Sequence, residues 1–133
     1  MINGKELMIG DYVDVNDNDD IVVLGVIKEI CDNGEQLTVS INDDKVFDVC
    51  NDEDIFPIIL SKEFFLKNGF TELYEDSDIV RLYNRDNRLR VNKYPTEVLS
   101  RWSVSGIDIN YVHEFQHYLR LENLSDYANN LKI

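Results

Sequence analysis

Three acidic, turn-forming clusters shape the first half of the chain: NDNDD at 16 to 20, DNGE at 32 to 35 and NDDK at 42 to 45. Each is rich in residues that accept turn geometry, and together they cut the sequence into pieces of strand length. In those pieces Val13 and Val15 alternate with Tyr12 and Asp14, and a continuous apolar run fills 21 to 27. Further on, Leu37, Val39 and Ile41 alternate with Gln36, Thr38 and Ser40, and Phe47 and Val49 with Val46 and Asp48. These are period-two patterns, the mark of strands. Asn33-Gly34 is the clearest hairpin signal. Four or five strands in so short a stretch cannot protect a core as a flat open sheet, so they are expected to curl into a small barrel.

Around Pro57 the pattern changes. IFPIILSKEFFLKNGF (55 to 70) runs from a strand end into a short helix, with Ser61 as its cap, Glu63 in the favoured acidic first turn, and Asn68-Gly69 closing it in a left-handed turn. Phe70 is expected to pack back on the last turn. DIVRLYN (78 to 84) and RLRVNKY (88 to 94) read as a hairpin joined at Arg85-Asp86-Asn87, and EVLSRWSVSG (97 to 106) as a third strand. A helix capped by Asn110 carries HEFQH, and a last short helix is expected over 124 to 131.

The charge balance divides the chain at the same place. Of the formal net charge of −13, residues 1 to 60 carry −12, with 15 acidic and 3 basic side chains, while residues 61 to 133 carry 11 and 10. A surface this negative repels phosphate and disfavours nucleic acid, and it would attract a basic partner. With 133 residues, 44% of them hydrophobic, the chain is long enough to bury a sizeable core. It has no apolar run of membrane-spanning length, and MINGKELMIGDYV lacks a basic segment followed by an apolar one. No membrane association is expected, and the cytoplasm is the expected compartment. Cys31 and Cys50 lie at predicted strand ends without CxxC spacing, among Asp32, Asp48 and Asp52. A reactive thiol needs cationic neighbours, so strand-face packing is the expected role of both.

YVHEFQHYLR (111 to 120) contains both histidines in the spacing His-Glu-x-x-His. In a zinc hydrolase His113 and His117, one helical turn apart, would bind the metal and Glu114 would act as the base on the attacking water. No third ligand is evident downstream: Arg120 and Asn123 stand where metzincins have glycine and histidine, and Glu122 lies on the same helix, which leaves an upstream carboxylate as the open choice. Asp108 is the nearest upstream carboxylate. At 100° per residue the histidines lie opposite the stripe of Tyr111, Phe115, Tyr118 and Leu119, flanked by Gln116 and Arg120, which describes a solvent face. No catalytic, cofactor or metal residues are therefore assigned.

ELMIGDYV (6 to 13) resembles the opening of SH3-like barrels, where a Gly-Asp turn leads into the first long strand with its valine inward. Together with IFPIILSKEFFLKNGF and IDINYVHEFQ (107 to 116) it also resembles a family of small uncharacterised proteins of Bacteroides-type gut bacteria and their phages and mobile elements. That family's pattern is E-L-x-I-G-x-x-V, then P-I-x-L-x-x-E-x-L-x-K-N-G-F, then Y-V-H-x-L-Q. The middle motif matches at Pro57, Ile58, Leu60, Glu63, Lys67, Asn68, Gly69 and Phe70, with Phe65 in place of leucine; Phe115 replaces the leucine of the last motif. In such a family the positions of Glu114 and His117 also accept glutamine and asparagine, which implies a structural helix and supplies no activity.

Two further motifs bear on function. DVNDNDD (14 to 20) resembles half of a calcium loop, with Asp14, Asn16 and Asn18 in ligand positions, but Asp19 replaces the turn glycine and Gly25 the closing glutamate. It reads as a solvated loop. Arg81, Arg85, Arg88, Arg90, Lys93 and Arg101, interleaved with Tyr83, Tyr94 and Trp102, could bind single strands, though they equally provide a sheet with its solvent face. Phosphate-cradling loops and nucleophile elbows are absent from the sequence.

The expectation is an α+β protein: a small acidic SH3-like β-barrel over 1–58, then a helix, three-stranded antiparallel sheet and helix module over 59–133 packed against it. The expected role is that of a non-enzymatic accessory protein of phage or mobile-element type, binding an unidentified protein partner of basic character without a cofactor. Two alternatives stand beside it, the zinc hydrolase and an acidic nucleic-acid mimic that inhibits a DNA- or RNA-binding protein.

Overall fold

A computed structural model describes residues 6–16, 22–34, 36–41, 45–50, 54–73, 79–94 and 101–133. The chain is α+β and divides into two compact units, Met1–Ile58 and Ile59–Ile133.

The first unit holds β1 (Tyr12–Asn16), β2 (Val22–Cys31), β3 (Gln36–Ile41), β4 (Lys45–Cys50) and β5 (Ile55–Phe56). All neighbours pair antiparallel, in the order β4-β3-β2-β1-β5. Strands β4 and β5 are the edges and do not pair with each other among the described residues, so the sheet is not a closed barrel. A register shift between Ile27 and Glu29 bends the ten-residue β2. Alternation works as the sequence suggests: Val13, Val15, Ile27, Leu37, Val39, Ile41 and Ile55 form one buried face with Leu7 over it. Gly25 lies on that face because nothing larger fits: a Cβ there would stand 2.5 Å from Val39 Cγ1 and 2.6 Å from Val15 Cγ2. Before β1, the Gly10-Asp11 turn is fastened to β2, as Gly10 N–H donates to the Ile27 carbonyl and Ile27 N–H to that of Asp11. Asn33 and Gly34, both at positive φ, turn the chain from β2 into β3.

The second unit begins with α1 (Lys62–Lys67), capped by Ser61, whose Oγ accepts from Phe64 N–H at 3.1 Å. Its sheet has five strands where the sequence suggests three: β6 (Thr71–Glu72), β7 (Val80–Asn84), β8 (Leu89–Tyr94), β9 (Arg101–Val104) and β10 (Ile107–Ile109), ordered β10-β9-β8-β7-β6. The two extra strands are edge strands of two and three residues, too short for a period to show. Strand β10 exists because Ser105 and Gly106, at φ 50° and 79°, make a two-residue turn that folds it back on β9.

Helix α2 (Val112–Leu121) and helix α3 (Ser125–Asn129) complete the unit. The cap of α2 is Tyr111, not Asn110, because Glu114 Oε1 accepts from the N–H groups of both, at 3.1 and 3.0 Å. Phe65 centres the core, its ring 4.7 Å from that of Trp102, 5.1 Å from Phe70 and 5.3 Å from both Phe64 and Phe115. The pairs with Phe64, Phe70 and Phe115 are edge-on and that with Trp102 is tilted, and edge-on aromatic pairs each add about 1 kcal/mol beyond the area they bury. Asn68 ties the chain end down: its Nδ2 donates to the Phe64 and Lys132 carbonyls, and its Oδ1 accepts from Lys132 N–H. No helix among the described residues is long and apolar enough to cross a membrane.

Candidate functional site

Both histidines sit on α2, but not on a solvent face. His113 is 3% exposed, Gln116 is fully buried, and His117 is half-buried. The physical reason is α3, which packs on α2; Gln116 Nε2 donates to the Ala128 carbonyl at 3.2 Å, so a polar residue is buried through a hydrogen bond. His113 stacks on Tyr111 with centroids 5.7 Å apart and planes within 7°, and meets His117 edge-on, also at 5.7 Å. Glu114 is engaged by the helix start. A peptidase glutamate must face the water bound to the zinc that its two histidines ligate, and this one points its Oε1 at backbone amides instead. Among the described residues no three His, Cys, Asp or Glu side chains come together closely enough to hold a metal ion. As described, His113, Glu114 and His117 do not have the arrangement of a zinc-peptidase helix, because Glu114 is turned to the backbone amides of Asn110 and Tyr111.

A hollow of about 230 Å³ lies between β10 and α2, lined by Ile107, Asp108, Ile109, Glu114, His117, Tyr118 and Leu121. It gathers three of the residues weighed for the zinc site, Asp108, Glu114 and His117, but not His113. Tyr118 Oη and Ser105 Oγ are hydrogen-bonded at 2.8 Å beside it.

The basic residues divide by strand parity. Register pairs Arg81 with Asn92, Tyr83 with Arg90 and Tyr94 with Arg101, so three arginines and two tyrosines share the outer face of the second sheet. Lys93 turns to the other side, its Nζ 5.7 Å from the centre of the Trp102 ring. Arg85 and Arg88 stay exposed in the turn.

The outer face of the first sheet was not singled out by sequence. Asp14 stands opposite Leu24 on one side and Phe56 on the other, Tyr12 opposite Val26, and Asn16 opposite Val22. Val22 is 57% exposed and Leu24 41%; Tyr12, Asp14, Val26 and Phe56 are half-buried. The solvated face of an antiparallel sheet is ordinarily polar. Here five apolar or aromatic side chains surround one carboxylate, and burial raises that carboxyl above its ordinary value. The available signal was IVVLGVI: a run without alternation, in a sheet only one strand layer deep, must put apolar groups on both faces.

Of the remaining candidates, Cys31 is a free thiol exposed at the end of β2 rather than packed on a face. The side chain of Cys50 and loop residues 17 to 20 of the calcium-like motif lie outside the described residues. Set against family models, curated proteins and solved structures, the chain matches none.

Proposed function

We propose that this chain is a non-enzymatic accessory protein that acts by binding a basic protein partner, and that the outer face of its first sheet is the contact surface. The observation that carries this is the apolar face itself, Tyr12, Val22, Leu24, Val26 and Phe56 around Asp14, in a segment of net charge −12. Exposed apolar surface inside a polar rim is the usual signature of a protein contact, and the surrounding negative field would steer a positively charged partner toward it. The SH3-like reading of the first unit belongs to the same proposal. Its support is the strand order, a four-stranded meander whose fifth strand returns beside the first, and the bulge that lets β2 turn. The phage or mobile-element setting rests on the three matched segments alone.

The nucleic-acid mimic is a narrower form of this reading, in which the basic partner is itself a DNA- or RNA-binding protein. The hydrolase reading draws no support from the arrangement of His113, Glu114 and His117.

The test is co-purification of the tagged chain from its source cells, beside the Val22→Ser/Leu24→Ser variant. The expected result is a basic protein retained at 50 mM salt, released near 500 mM as screening sets in, and not captured by the variant. Equal capture by the variant would overturn the assignment of the surface. Displacement of the captured protein by added DNA would single out the mimic.

A further inference from the structure

Resting on that reading, we propose that the outer face of the first sheet contains a seat for one lysine or arginine side chain of the partner, formed by the Asp14 carboxylate between Leu24 and Phe56 with Tyr12 alongside.

Residues directly opposite on antiparallel strands have Cβ atoms roughly 5 Å apart and project from the same face. The pairings Asp14 with Leu24 and Asp14 with Phe56 therefore place one carboxylate between an aliphatic and an aromatic side chain. Tyr12 and Asn16, two residues either way along β1, share that face, as the alternating burial of β1 shows. Asp14 is the only charged residue in this group.

Among the described residues Asp14 has no ion-pair partner, and burial is the cause that raises its carboxyl. A carboxylate kept partly from water without a counter-charge is a standing cost in the free chain. A cation arriving from outside removes it. The same neighbours suit a long basic side chain in detail: its methylene stem lies along Leu24, its charged head meets the carboxylate, and the Phe56 and Tyr12 rings add attraction for a cation near their faces. Docking would exclude water from the rim of Val22, Val26 and Leu24 and so strengthen the ion pair. Selectivity follows, because a neutral or acidic side chain in this place would leave the carboxylate desolvated and unpaired.

The seat is tested with a random dodecapeptide display library selected on the whole chain, followed by affinity measurements on the enriched peptides. The expected result is that enriched peptides carry lysine or arginine beside apolar residues. They should bind Asp14→Asn about tenfold more weakly, a loss of about 1.4 kcal/mol, and bind Val22→Ser/Leu24→Ser more weakly still. Replacing the peptide's basic residue by norleucine should cost as much as Asp14→Asn does. Peptides that depend on Leu24 but bind Asp14→Asn and wild type alike would overturn the seat and leave the docking surface standing. Peptides indifferent to both variants would overturn the two together. Each substituted position is exposed or half-buried on the outer face, so thermal melting close to wild type is expected and checks that the variants are folded.

Discussion

At the scale of single residues, Asp14 carries the cost that partial burial places on its charge. A carboxyl raised above its ordinary value in the folded chain binds its proton more tightly there than in the unfolded chain, so its contribution to stability is greatest at acid pH and falls as pH rises through the folded value. Asp14→Asn removes that penalty. The variant is expected to be slightly more stable than wild type at pH 7, within the 0.5 kcal/mol or so typical of surface changes, with the gap closing toward acid pH in urea titrations. Tyr127 behaves alike at the other end of the scale. Burial pushes its phenol up to about 12, partly opposed by the hydrogen bond from Asn84, and its hydroxyl donates to the Asn68 carbonyl. Stability should therefore decline above pH 10, where the unfolded phenol ionises and the folded one does not. Tyr127→Phe is expected to cost about 1–3 kcal/mol at neutral pH by stranding its partners, and the difference from wild type should narrow in alkaline melts.

At the scale of elements, Gly25 is where β2 has no room to spare. Gly25→Ala should destabilise the first unit by about 1–3 kcal/mol, the usual penalty of overpacking, read as a lower urea midpoint at unchanged slope. Much of this level was legible in sequence. The alternation of Val13 with Val15 and of Leu37, Val39 and Ile41 located β1 and β3, and Ser61 marked the start of α1 as its hydroxyl acceptor. What escaped had physical causes. Strands β6 and β10 are too short to carry a period and exist only because β7 and β9 offer them an edge. The buried side of α2 was misjudged because a helical wheel equates burial with an apolar stripe, whereas Gln116 is buried by bonding to α3 and His113 by stacking on Tyr111. The candidate contact face escaped because histidines and clustered charges are the usual marks of chemistry, and this face carries mainly valines, a leucine and rings around one aspartate, with Asn16 beside them.

Over the whole chain, electrostatics decides between partners. The second sheet's Arg81, Arg90 and Arg101, with Tyr83 and Tyr94 on the same face, have the residue types that bind single strands, yet they belong to a chain of net charge −13. The long-range field opposes a polyanion before any local contact forms. A labelled single-stranded oligonucleotide is accordingly expected to show no anisotropy change with the protein at 150 mM salt, and saturable binding there would move the functional surface to the second sheet. The same field is favourable for a basic protein, and its effect should weaken with salt over the range in which exposed charges are screened. Three surfaces thus compete for the role: the apolar face around Asp14, the arginine and tyrosine face, and the hollow between β10 and α2. The most direct discrimination is the methyl NMR spectrum of the whole chain with the co-purified partner added. Shifts are expected at Val22, Leu24 and Val26; shifts confined to Ile107, Ile109 and Leu121 around the hollow, with the first sheet unchanged, would contradict docking on the face around Asp14.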